Sequence, residues 1–148
     1  VPIPNPSSLK RTAGYSGTPL VTKLGIKPGL RICILHSPDN YPKTLGPLPD
    51  VKLLRRLPED RSLDFIHYFT KQRKSLVKDF PRLAGALNWT GTLWISWPKG
   101  ASKVSTDLSE NIVREVGLDL GLVDVKVAAI DEVWSGLKFV HRVEKRPK

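Results

Sequence analysis

The run Leu93-Trp-Ile-Ser-Trp-Pro-Lys99 limits the choice of fold more than any other stretch of this chain. With Gly91 and Thr92 before it, it reads as an apolar strand that stops abruptly at Pro98 and Lys99. Residues 100–106 are small and polar, and a helical pattern follows. A strand feeding a polar loop and then a helix is half of a βαβ unit. In open α/β sheets, ligands bind outside the carboxyl ends of such strands. Lys99 and its loop therefore stand where a site would be.

The rest of the chain supplies the elements such a sheet needs. Arg31 to Leu35 is apolar and β-branched, as expected of a strand covered on both faces. It ends at His36-Ser-Pro-Asp39. Before it, Thr18 can cap a short helix carrying Leu20, Val21 and Leu24, closed by Gly25. Residues 40–45 read as weakly helical and residues 51–54 as a short second strand. Residues 63–69 are a third strand, rich in aromatics. Only residues 56–62 link these two strands, fewer than a parallel crossover normally uses, so whether the second joins the main sheet stays open at this point.

Leu76, Phe80, Leu83 and Leu87 recur at helical spacing. They predict a helix over 71–87, kinked or split at Pro81. A further helix is expected over 107–120, capped by Asp107 with Glu110 three residues on, and with Leu108, Ile112, Val116 and Leu120 as its stripe. Residues 123–130 and 137–143 read as an antiparallel hairpin joined by residues 131–136. The pattern is a three-layer, Rossmann-like α/β sheet, mostly parallel, with an antiparallel C-terminal hairpin strand. Residues 1–13 are expected to be a disordered proline-rich arm, 14–143 one domain and 144–148 a basic tail.

This order of elements looks like an abbreviated class I methyltransferase fold over residues 26–143. That resemblance implies a cofactor loop after the first strand and a ribose-binding acid after the second. The sequence shows neither: the turn is His36-Ser-Pro-Asp-Asn-Tyr-Pro42, without glycine, and Leu54-Arg55-Arg56 ends the second strand. No cofactor is therefore expected. Residues 13–20 (Ala-Gly-Tyr-Ser-Gly-Thr-Pro-Leu), 24–29 (Leu-Gly-Ile-Lys-Pro-Gly), 93–99, 121–127 and Trp134-Ser-Gly-Leu-Lys138 are together similar to a bacterial family catalogued as domain of unknown function 3052. That resemblance brings no activity with it.

Topology brings several chemistry-bearing residues to one edge. If the strands are parallel, His36, Thr70, Lys99 and the hairpin turn share the carboxyl edge, and the start of the first helix returns to it. The candidate ligand-binding residues are Tyr15, Ser16, Thr18, His36, Lys99, Ser102, Asp131, Trp134 and Ser135. Aromatics with a few polar groups and a lysine are the makings of a small pocket. Bland roles compete: Lys99 can pair with Asp131 or Glu132, Trp134 can pack the hairpin, and His67, between Phe65 and Phe69, reads as core. Catalytic motifs are lacking. No serine sits in a Gly-x-Ser-x-Gly elbow, and three scattered histidines have no metal spacing, so no metal is expected. Cys33 lies in an apolar run and reads as a buried thiol.

Charge bears on partners. The chain carries a net charge of +10. Residues 1–106 hold 17 basic and 6 acidic side chains, whereas residues 107–148 hold 7 and 8. A small anionic ligand fits this imbalance. A nucleic-acid adaptor is a second alternative, using Lys71, Arg73, Lys74, Lys78 and Arg82 on one helix with Arg55 and Arg56. No apolar run approaches the length of a membrane span and no signal peptide is visible, so a cytoplasmic protein without a membrane partner is expected. The leading expectation is a small-ligand-binding or regulatory protein without catalysis. A divergent S-adenosylmethionine-dependent methyltransferase-like enzyme is the first alternative. The sequence does not set the oligomeric state.

Overall fold

In the computed structural model, residues 18–147 are described. Its sheet is built around β3 (Leu63–Phe69), almost wholly buried, and β4 (Leu87–Pro98). β1 (Arg31–Leu35) runs parallel to β3 with Ile32 opposite Phe65, and β2 (Lys52–Leu54) runs parallel to β1 on its outer side. β5 (Leu122–Ala129) and β6 (Trp134–His141) complete a sheet of order β2-β1-β3-β4-β6-β5, with β6 antiparallel to both neighbours. The second strand thus joins the main sheet, and residues 55–62 cross to β3 without a helix.

Helices cover both faces, giving three layers. α3 (Arg73–Ala86) and α4 (Glu110–Asp119) lie on one face over Leu63, Tyr68, Leu93, Ile95, Leu137 and Phe139. On the other, α1 (Leu20–Leu24) and α2 (Tyr41–Leu45) cover Ile32, Phe65, Phe69, Trp94 and Trp134. Trp94 ties the layers together, its indole N–H donating to the Leu24 carbonyl at 3.0 Å. Cys33 is fully buried, as expected. No helix among the described residues is long and apolar enough to cross a membrane.

Several local expectations give way to packing. α3 is one helix through Pro81, because that proline lies on the exposed side, near half-exposed Val77. Its missing hydrogen bond would run to the carbonyl of residue 77, at the solvent side, where water can satisfy it. β4 starts at Leu87, four residues before the expected strand, with no loop after α3. Leu87 pairs with Leu63, and the register shifts before Phe65 meets Thr92. Gly91 is needed at that shift: a Cβ there would lie 2.9 Å from the Asp64 carbonyl oxygen.

α4 begins at Glu110, not Asp107. Ser109 is its cap, its Oγ accepting from the Ile112 N–H at 3.3 Å. Asp107 instead accepts from the backbone N–H of Arg73 at 2.7 Å, so it caps α3 from across the fold. The buried side of α4 is Val113, Val116 and Gly117, and Leu120 is 40% exposed. β6 starts at Trp134, so Trp134 and Ser135 belong to a strand rather than to the connecting turn. β6 ends at His141, two residues before the expected end, and Val143–Lys145 form a 3-10 turn that runs from there into the expected tail. The expected arm, 1–13, lies outside the described residues.

Candidate functional site

The chain leaves β1 toward β2 on one side and returns to β3 on the other, so the topological switch lies between the carboxyl ends of β1 and β3. In open α/β sheets this is the place where a crevice forms. A cleft of about 420 Å³ opens there, lined by His36, Pro38, Phe69, Thr70, Lys71, Gln72, Ser75 and Trp134.

Each wall has a local cause. His36 follows β1 directly and adopts a left-handed backbone, φ 59°, an uncommon conformation for a residue with a Cβ. That bend turns the chain sharply, and its imidazole leans on Tyr68 with ring centres 5.3 Å apart. Tyr68 is itself committed, its hydroxyl donating to Asp79 at 2.6 Å. Phe69 and Trp134 form the apolar floor, edge to face at 5.2 Å. The α3 side supplies Thr70, Gln72 and Ser75. Ser75 Oγ donates to Gln72 Oε1 at 3.3 Å, which leaves the amide nitrogen of Gln72 without a partner among the described residues.

Under the floor lies a buried polar chain. The Tyr41 hydroxyl is 2.7 Å from His67 Nδ1, and His67 Nε2 is 2.7 Å from Ser96 Oγ. His67 also stacks on Phe69 at 4.1 Å. Burial holds its pKa down at about 3 and pushes the Tyr41 hydroxyl well above its ordinary range. His67 is therefore neutral and structural, and Ser96, fully buried, is out of reach of any substrate.

The candidate residues are only partly brought together. His36 and Trp134 share the cleft. Lys99 lies past the end of β4 and donates its backbone N–H to the Val133 carbonyl at 2.8 Å; no ion pair with Asp131 or Glu132 forms. Ser102 accepts from the Val104 N–H and donates to the Lys99 carbonyl, holding its own turn. Asp131 Oδ1 accepts from the N–H groups of Val133 and Trp134, both at 2.8 Å, so it shapes the hairpin. Ser135 pairs with Trp97 in the sheet. Thr18 lines a different groove, beside Lys23 and Lys126. Tyr15 and Ser16 lie outside the described residues. Sequence reading missed Gln72 and Ser75. Their signal was position alone, the first turn of the helix after the third strand.

A larger hollow, about 790 Å³, lies at the opposite, amino edge around Arg61, Trp89 and His141. Its two central polar groups, Arg61 and His141, are occupied. Arg61 Nη1 donates to the carbonyls of Ala84 at 2.8 Å and Leu87 at 3.0 Å, and the guanidinium lies 3.9 Å from the centre of the Trp89 ring. His141 Nε2 donates to the same Leu87 carbonyl at 3.1 Å. These groups close the end of α3 rather than await a ligand, so the switch-point cleft is the better candidate. Among the described residues no group of acids, histidines and cysteine could hold a metal ion.

Neither a protein-family model nor a curated protein sequence matches the chain. Solved structures do match. An S-adenosylmethionine-dependent methyltransferase from Aquifex aeolicus has a TM-score of 0.58 at 17% identity, covering 93% of this chain and 98% of that one. The fold is that of the methyltransferases. A second such enzyme, from Mesorhizobium loti, has a TM-score of 0.57 at 11% identity over 81% of this chain and 94% of that one. Magnesium protoporphyrin IX methyltransferase from Synechocystis, solved with S-adenosylhomocysteine, has a TM-score of 0.53 at 12% identity over 83% and 78%. Likeness at this identity establishes architecture. The leading expectation of a binding or regulatory protein without catalysis is corrected on this finding, because the similar structures named here are methyltransferases. The methyltransferase-like alternative is the better supported reading.

Proposed function

We propose that the chain is a divergent methyltransferase-like enzyme that works at the cleft between β1 and β3. The observation that carries this reading is the coincidence of that cleft with the topological switch of a methyltransferase sheet. We also assign the chain, by its motifs around Lys99 and Trp134, to the bacterial domain-of-unknown-function 3052 family, as a cytoplasmic protein.

The donor set fits an adenosyl cofactor in part. The left-handed bend at His36 keeps a sharp turn after β1 without glycine. The carboxylate that would hold a ribose after β2 is absent, and Arg55 stands there. Thr70, Ser75 and the free amide of Gln72 are the groups that would hold a cofactor instead, over the floor of Phe69 and Trp134. When bound, S-adenosylmethionine supplies an electrophilic methyl group. His36, exposed at the cleft mouth, is placed to take the proton that an oxygen or nitrogen acceptor loses.

Thermal denaturation with S-adenosylhomocysteine tests the reading. At about a hundred times its dissociation constant a ligand adds about 2.7 kcal/mol, expected here as a rise of about 5–10 °C in Tm. Gln72→Ala should abolish the rise. His36→Ala should keep it and lose methyl transfer. A flat melt for the unaltered chain rejects the proposal.

A further inference from the structure

The α1 face of the sheet ends in lysines rather than in apolar packing. α1 is only five residues long. Beyond its flank, Lys126 of β5 stands directly opposite Lys138 of β6. Like charges across an antiparallel pair are destabilising. Lys126 has a partial excuse, since it is exposed on an edge strand beside Val125 and Val127, 53% and 48% exposed, and a lysine there discourages pairing with another chain. Lys138 has none. It is half-buried on an interior strand, in register with Trp94 on its other side.

Two more lysines extend this pair into a line. Lys126 Nζ donates to the Lys23 carbonyl at 3.4 Å, and Lys23 Nζ donates to the Ala129 carbonyl at 3.3 Å. Burial, then the charges of Lys126 and Lys99, holds the Lys23 ammonium below the usual lysine range. Burial, then Lys126 and Lys27, does the same to Lys138. No carboxylate pairs with Lys27, Lys99, Lys126 or Lys138 among the described residues. Residues 1–17 contain no Asp or Glu.

The line crosses the face from Lys27, before β1, to Lys99, beyond β4. Lys138 is level with Trp94, five residues before Lys99, which is about 16 Å at about 3.3 Å per strand residue. Five ammonium groups spread over that length of backbone are more than one phosphate group can use, whereas a polymer with a phosphate at every unit can engage them together. Lys138 is also half-buried on an interior strand, which a flat bilayer surface meets poorly.

We propose that Lys27, Lys138, Lys126, Lys23 and Lys99 form a track for the phosphate backbone of a nucleic acid, leading to the carboxyl edge where the cleft opens. This inference stands independently of the methyltransferase reading, because its test measures binding and not transfer.

The test is fluorescence anisotropy of a labelled single-stranded oligonucleotide of about 20 nucleotides, titrated with the full chain at rising salt. Affinity should fall linearly on a log–log plot. The triple variant Lys27→Gln, Lys126→Gln, Lys138→Gln should weaken binding about ten-fold or more and flatten the slope by about 2, at about 0.7 per lost phosphate contact. It should also melt above the unaltered chain without nucleic acid, since it relieves repulsion. Lys126→Gln alone, on an exposed strand, serves if the triple variant fails to fold, and should flatten the slope by about 0.7. Binding unchanged in the variants, binding lost only in Lys74→Gln and Lys78→Gln on α3, or binding to anionic phosphatidylserine vesicles but not to the oligonucleotide would each overturn the proposal.

Discussion

Ser96 Oγ and His67 Nε2 lie 2.7 Å apart at the inner end of a polar chain that Tyr41 completes, all of it sealed under Phe69. The arrangement looks like the start of a catalytic relay, yet nothing can reach it. Its role is to fix the position of β3 against β4 and α2, and so to set the floor of the cleft.

That chain makes stability depend on pH in a defined direction. His67 titrates at about 3 when folded and near 6.5 when unfolded. The unfolded state therefore binds the extra proton between these values. The stability is complete above about pH 6.5 and is lost as pH falls toward 3. Between pH 7.5 and 5 the loss is about 2 kcal/mol. His141, also held below its usual range by burial, adds to it with the same sign. Urea denaturation at the two pH values should show this loss, and His67→Gln should remove the larger part of it. An equally steep loss in the variant would assign the effect elsewhere.

Gly117 of α4 meets the edge of Phe139. A Cβ there would lie 2.1 Å from Phe139 Cε1, and Phe139 is fully buried against Phe80 with no room to retreat. Gly117→Ala should destabilise the fold by about 3 kcal/mol despite alanine's better helix propensity. Phe139→Leu in the same chain should recover part of the loss. Thermal melts of the single and double variants check this, and a stabilised single variant would refute it.

Ser109 and Asp107 cap different helices. Ser109→Ala should cost about 1 kcal/mol through α4. Asp107→Asn keeps an acceptor for the Arg73 N–H and should cost less than Asp107→Ala. Equilibrium denaturation of the three variants distinguishes these caps from the single one expected at Asp107.

Much of the architecture was legible because period and punctuation agreed. β1 and β3 are apolar runs bounded by turn residues, and Gly25 closes α1 in the left-handed conformation expected of it. The failures share a cause. Leu87 continues the helical stripe of Leu76, Phe80 and Leu83, and nothing local shows that it is also the first residue of a strand. Trp134-Ser-Gly resembles a turn, yet Gly136 sits in a strand where a Cβ would lie 3.0 Å from both Trp94 and Ile130. Lys99 does not line the cleft, although β4 lies between the strands that carry Phe69 and Trp134. It follows Pro98, which pairs with Trp134, and its backbone turns into the Val133 carbonyl, so a place on the shared edge does not by itself put a side chain in the cleft. His36 and Trp134 meet only because the Trp134 ring reaches back to Phe69. The lysine track was invisible because only register sets Lys126 against Lys138.

The crossover from β2 to β3, made without a helix, has a consequence for how the molecule breathes. β2 has three residues and pairs on one side only, whereas β3, β4 and β6 each pair on both. The crossover is held at its far end by Arg61, through two carbonyls and the face of Trp89. Such a peripheral strand can detach and re-form without the core opening, so resistance to unfolding is graded across the sheet. The cleft lies close to the boundary between the two regimes, between β1, which borders the loose strand, and β3, which belongs to the rigid block. Its width can therefore change with the outer end of the sheet while Phe69 and Trp134 stay fixed.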